Sequence, residues 1–150
     1  MGATASWATL SLPFFCACVY TSDMPIYFTL EEANRALETI RPLIHEAMLI
    51  RRRVLADQPE VWAMMEKAAG NGGSPTLSKM VVDFERFDDL LHAIQAAGAQ
   101  IKDISAGLMD FPALKEGREV CLCWRYGETD IAYWHEVETG FAGRQPIATF

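Results

Sequence analysis

The chain has 150 residues, 51% of them hydrophobic, with 20 acidic against 13 basic side chains and a formal net charge of −7. That length supports one domain with its own core, and the apolar content excludes a disordered chain. The acidic balance excludes nucleic acid as a partner, because phosphate binding concentrates lysine and arginine on one surface. The single basic cluster, Arg51-Arg52-Arg53, has acids to either side and reads as a solvated helix face.

Residues 1–23 differ in composition from the rest of the chain. They hold one charged residue, Asp23, and an apolar run from Leu10 to Tyr20. A signal-like segment is one reading, and Phe15-Cys16-Ala17-Cys18 loosely resembles a lipoprotein cleavage site. However, a signal peptide carries lysine or arginine before its apolar run. The run is also broken by Pro13 and too short for a membrane span. A non-native extension ahead of a start at Met24 is the preferred reading, so no membrane partner is expected and the domain proper is 24–150. Two cysteines then remain, Cys121 and Cys123, poorly placed for a disulfide on one strand face. Reduced thiols fit a cytoplasmic setting.

From Met24 onward, Thr29-Leu30-Glu31-Glu32 is a capping box that opens a helix. Leu30, Ala33, Leu37, Ile40, Ile44 and Ala47 form one apolar stripe, continued by Met48 and Leu55. Pro42 predicts a kink. Asp57-Gln58-Pro59 predicts a new, short helix to about Ala69 that buries Val61, Trp62 and Met65. Gly70-Asn71-Gly72-Gly73 predicts a flexible break open to proteolysis. Ser74-Pro75 reopens a helix, with Leu77, Met80, Phe84, Phe87, Leu91, Ile94 and Gly98 as its stripe. Gly98 ends it, and the two long helices pair as an antiparallel hairpin.

Ile101 to Phe111 is a weaker strand signal, with Gly107 at a bend or bulge and Pro112 at its end. Glu119–Tyr126 and Asp130–Glu138 are β-branched and aromatic runs split by Gly127-Glu128-Thr129, which makes them a hairpin. The predicted fold is α+β, a helical hairpin packed on a three-stranded antiparallel meander. A two- or four-residue turn opposes Val120 to Val137, Leu122 to His135, Trp124 to Tyr133 and Tyr126 to Ile131. Those eight form the core face. Cys121, Cys123, Arg125, Trp134 and Glu136 then lie on the open face. A three-residue turn slips the register by one, with the same inward set expected on each strand.

Several stretches resemble a known family. They are Tyr27-Phe28-Thr29-Leu30-Glu31-Glu32-Ala33-Asn34, Gly107-Leu108-Met109-Asp110-Phe111-Pro112, Gly117-Arg118-Glu119-Val120, Leu122-Cys123-Trp124-Arg125, Trp134-His135-Glu136 and Gly140-Phe141-Ala142-Gly143-Arg144-Gln145-Pro146. In this order they are similar to an uncharacterised bacterial family, domain of unknown function 2203, from Met24 to about Ile147. The resemblance implies a start near Met24 and a variable Gly70–Gly73 loop. It implies no activity and no cofactor.

The candidate site is therefore chosen on chemistry. Arg144 and Gln145 follow Gly140 and Gly143, where the backbone can approach a ligand and a guanidinium can grip an anion. Arg125, Trp134 and Glu136 join them on the open face as a site for a small anionic ligand. Otherwise, Arg144 ties the tail down through Asp110 or Glu136. Arg118 and Cys123 are further candidates, and His135 is a buried structural residue or a working one. With His135 on the opposite face from the cysteines, no metal site is expected. The other functional class is an interaction module, a homo-oligomer formed through an exposed Trp134.

Overall fold

The computed structural model describes residues 26–67 and 75–150, apart from the side chains of residues 58, 60–67 and 75–77. Met1–Asp23, the Gly70–Gly73 break and the burial of Val61, Trp62, Met65 and Leu77 lie outside that description. Helix α1 spans Leu30–Lys67 and helix α2 spans Pro75–Ala96. The expected capping box is formed. Thr29 donates its backbone N–H to Glu32 Oε2 at 2.9 Å, and Glu32 returns its own N–H to Thr29 Oγ1 at 3.2 Å. The Thr29 backbone N–H first, and then the Thr29 hydroxyl, hold the Glu32 carboxyl below its ordinary pKa.

α1 continues through Pro42 and Pro59, so the separate short helix is not formed. Both prolines lie on the exposed side, where water can serve a carbonyl that has lost its helical donor. The expected stripe of α1 is buried from Ala33 through Ala47 and extends to Ile50, while Leu55 is exposed.

The stripe of α2 is rotated from its predicted position. Asp83, Leu90 and Ile94 are buried and Phe87 is half-buried, whereas Phe84 is 52% exposed. Asp83 is invisible to an apolar pattern, yet it occupies a core-facing position because Arg53 Nη2 reaches its Oδ1 at 2.8 Å. A second tie joins Arg86 to both oxygens of Glu46 at 2.7 and 2.9 Å. Among the described residues, no helix is long and apolar enough to cross a membrane.

Five antiparallel strands follow in the order β1 (Gln100–Asp103), β2 (Leu108–Lys115), β3 (Arg118–Arg125), β4 (Tyr133–Glu136) and β5 (Gln145–Pro146). The α+β class holds, with five strands instead of three. The predicted strand 101–111 is two strands folded at Gly107, whose φ of 63° is left-handed. A side chain there would meet Tyr126 Cβ at 2.4 Å. Pro112 does not end β2. Its carbonyl accepts from Phe28 N–H at 2.8 Å, so its ring faces the side that β1 has already left, where no ladder donor is needed.

The β3–β4 register is the main correction. Val120 opposes Glu136, Cys121 opposes His135, Leu122 opposes Trp134 and Cys123 opposes Tyr133. The connection is a long loop from Tyr126 to Ala132, held against α1 and not a tight turn. Ile131 N–H donates to Asn34 Oδ1 at 2.9 Å, and Arg41 reaches the Thr129 carbonyl. Tyr126 Oη lies 2.7 Å from His45 Nδ1. A one-residue slip does not preserve the inward set, because it turns β4 over relative to β3.

The core face therefore carries Met109, Phe111, Ala113, Val120, Leu122, Trp124 and Trp134 against Ala33, Leu37, Ile40 and Ile44 of α1. Trp134 is buried (3% exposed), not displayed on an open face. Its Nε1 donates to Thr149 Oγ1, Phe150 packs edge-on to its ring, and the Lys115 ammonium sits 4.2 Å from the ring centre.

Candidate functional site

The sheet's other face is where polar groups collect. Asp110, Cys121, Cys123 and His135 are all buried there, on three adjacent strands. Antiparallel pairing sets Asp110 opposite Cys123 and Cys121 opposite His135. His135 thus stands on the same face as both cysteines, contrary to the predicted register. It is still buried as expected.

His135 has two polar contacts. Its Nδ1 lies 2.8 Å from the Glu136 carbonyl oxygen, and its Nε2 lies 3.2 Å from Asp110 Oδ1. The side chains of the pair are 2% and 3% exposed. The other Asp110 oxygen, Oδ2, is 3.9 Å from the Lys102 ammonium, which is itself 43% exposed. The Cys123 thiol lies against both the Asp110 carboxyl and the Arg144 guanidinium. Burial first, and then the Asp110 charge, push the Cys121 thiol up to about 11 and the Cys123 thiol up to about 12. Both cysteines are free.

A concavity of about 240 Å³ opens over this floor. Asp110, His135 and Cys121 line it together with Gln100 and Lys102 from β1 and Phe141 from the loop after β4. None of Arg125, Trp134, Glu136, Arg144 and Gln145 lines it. Arg125 is exposed at the end of β3, where its N–H donates to Glu128 Oε2. Glu136 pairs with Arg118 at 3.3 Å. Gln145 is exposed on β5, opposite Trp134.

Arg144 does tie the tail down, but to a different partner. Its Nη2 donates to Glu128 Oε2 at 2.8 Å and to the Cys123 carbonyl at 3.2 Å. Its guanidinium lies 4.2 Å from the Tyr133 ring centre and 4.9 Å from that of Phe141. Its Nε is buried with no partner among the described residues. The guanidinium is thus largely committed to holding the β3–β4 loop and the tail against the sheet.

Lys102 and Gln100 line this outer face and are not singled out by sequence reasoning, which does place Cys121 on the open face. The available signal was period-two alternation in Gln100-Ile101-Lys102, which sets two polar side chains on the face opposite Ile101. Reading 101–111 as one strand concealed that β1 lies beside Asp110.

The fold and this face define a small α+β domain, with a helical hairpin on one side of an antiparallel sheet and a buried polar cluster on the other. The chain belongs to the family of uncharacterized conserved proteins DUF2203, whose model matches residues 26–147. No curated protein and no solved structure matches the chain.

Proposed function

We propose that this domain binds a small anionic ligand on the outer face of the sheet, in the concavity over Asp110 and His135. One observation carries the reading: two ionisable groups are buried as the floor of a cavity, with a half-exposed ammonium at its rim. A stable core does not need such groups, and burying them is costly unless they are matched by partners. Convergent polar groups at a concave surface are the usual form of a ligand site. Lys102 supplies the anion's counter-charge, Gln100 an amide donor, and Phe141 an apolar wall. Arg144 supports the wall from behind. The two buried thiols, Cys121 and Cys123, support a reducing, cytoplasmic setting. Calorimetric titration with inorganic phosphate and with succinate tests the reading. Binding of either anion that is lost in Lys102→Ala and weakened by added salt supports it. Lys102→Ala binding both anions as well as the parent protein, or neither anion binding the parent, rejects it.

A second reading, a homo-oligomer, rests on a different surface from the one first expected, since Trp134 is enclosed. An apolar cleft of about 870 Å³ runs between the hairpin and β1, lined by Ile50, Val54, Leu55, Phe84 and Phe87 among others. A second copy would supply the same apolar helical face by two-fold symmetry and complete a four-helix bundle. Light scattering tests this reading: a dimer that Phe84→Asp converts to monomer supports the interface, and a parent protein that is already a monomer rejects it.

A further inference from the structure

We propose that Asp110, Cys123 and His135 form a divalent transition-metal site, with zinc the fitting ion. Such a site goes beyond anion binding and would exist with or without an anion.

The imidazole of His135 presents two nitrogens to two different acceptors. A backbone carbonyl can only accept, so the 2.8 Å contact from Nδ1 to the Glu136 oxygen places a proton on Nδ1. In the neutral ring, Nε2 then carries a lone pair. That lone pair faces Asp110 Oδ1, also an acceptor when ionised, at 3.2 Å. Two acceptors do not hold that distance in a buried site unless a proton or a cation lies between them.

A metal ion fits the third neighbour as well. One ligand atom from each of Asp110, Cys123 and His135 lies within 4.8 Å of the others, and all three residues are buried. Tetrahedral zinc, with bonds of about 2.0–2.3 Å, spaces its ligand atoms roughly 3.2–3.8 Å apart. The imidazole–carboxylate pair is already at that spacing, and a sulfur-to-nitrogen or sulfur-to-oxygen gap, ideally about 3.5 Å, needs to close by at most about 1.3 Å. An imidazole that donates Nδ1–H to a carbonyl and ligates through Nε2 is the usual outer-shell arrangement at zinc.

Mixed S, N and O donors suit zinc better than the harder calcium or magnesium. Their charges also balance: one thiolate and one carboxylate neutralise a dication, and the thiol proton leaves to solvent. Lys102 approaches Oδ2 and leaves Oδ1 to the metal. Three protein ligands leave a fourth position, and two of the three, Asp110 and His135, line the concavity.

The test uses the full chain, stripped of metal by a chelator and titrated with Co²⁺ and then Zn²⁺. One equivalent of Co²⁺ is expected to give a thiolate-to-cobalt charge-transfer band that Zn²⁺ abolishes, and Zn²⁺ alone should raise the melting temperature. Cys123→Ser should remove the band. His135→Gln and Asp110→Asn should each weaken binding by at least the roughly 10–100-fold that loss of an outer-shell partner costs a metal site. A Cys16→Ser, Cys18→Ser double variant, which keeps Asp110, Cys123 and His135, should bind as the parent does. If a variant does not fold, the parent's band and melting shift decide alone. A parent protein with neither band nor shift, or a band that survives in folded Cys123→Ser, overturns the site. The 3.2 Å pair is then an imidazolium–carboxylate pair.

Discussion

At the scale of single residues, Arg144 shows how chemistry and geometry divide. Its neighbourhood of glycines marks it in the sequence, and tying the tail is one of its two readings there. The partner is not readable, because Glu128 reaches it only through the conformation of the Tyr126–Ala132 loop. Truncating this side chain removes a charged hydrogen bond to Glu128, a bond to the Cys123 carbonyl and the contact with Tyr133 and Phe141. Arg144→Ala should therefore cost about 1.5–3 kcal/mol, the range for hydrogen bonds to charged groups. Urea denaturation reads this as a lowered midpoint at constant slope. Arg144→Lys should recover only part of the loss, since an ammonium can replace the single nitrogen that serves both acceptors but cannot lie as a flat guanidinium over the Tyr133 and Phe141 rings. Full recovery by lysine would mean that charge alone matters there.

At the scale of elements, legibility follows how far each feature depends on distant chain. The capping box and the α1 stripe rest on neighbours within a few residues, and both are readable. The α2 face is missed by one position because Asp83, a polar residue, occupies its inward row through its bond to Arg53. Substitutions can check the rotated face. Leu90→Ala should cost about 2–5 kcal/mol, as a fully buried leucine does. Phe84→Ala in the monomer should cost less than about 1 kcal/mol, since half of that ring already meets solvent. An equal loss at both sites would restore the original stripe. The α2 terminus is legible from Gly98, whose φ is 92° and where an added Cβ would lie 2.2 Å from Phe28 Cζ. Gly98→Ala should destabilise by more than about 1 kcal/mol, measured by the same denaturation. The sheet register is not legible, because it depends on a loop whose length is set by contacts with Asn34 and Arg41. A slip of one residue carries His135 from the helix side to the thiol side, and the candidate site moves with it.

For the whole molecule, the layers run from helical hairpin through apolar core and sheet to a polar outer face, and that face sets a pH limit. Cys121 and Cys123 have their folded pKa values raised from 9.0 to about 11 and about 12, by burial first and the Asp110 charge next. As a thiol ionises in the unfolded chain near pH 9, the folded metal-free protein still keeps its proton. The unfolded state then binds fewer protons than the folded one, so stability falls as pH rises. The thiols' contribution is fully present below about pH 9 and is lost progressively up to about pH 11–12. Lysines and tyrosines also titrate in that window, so the comparison must be made between variants. Melting temperature should decline less steeply from pH 9 to 11 in a folded Cys121→Ala, Cys123→Ala double variant than in the parent. Thiol labelling should track this decline, staying slow at pH 8 because a protonated, buried thiol is a poor nucleophile. Equal slopes with fast labelling at pH 8 would mean that the outer face is open to water and the thiols are not held by the fold.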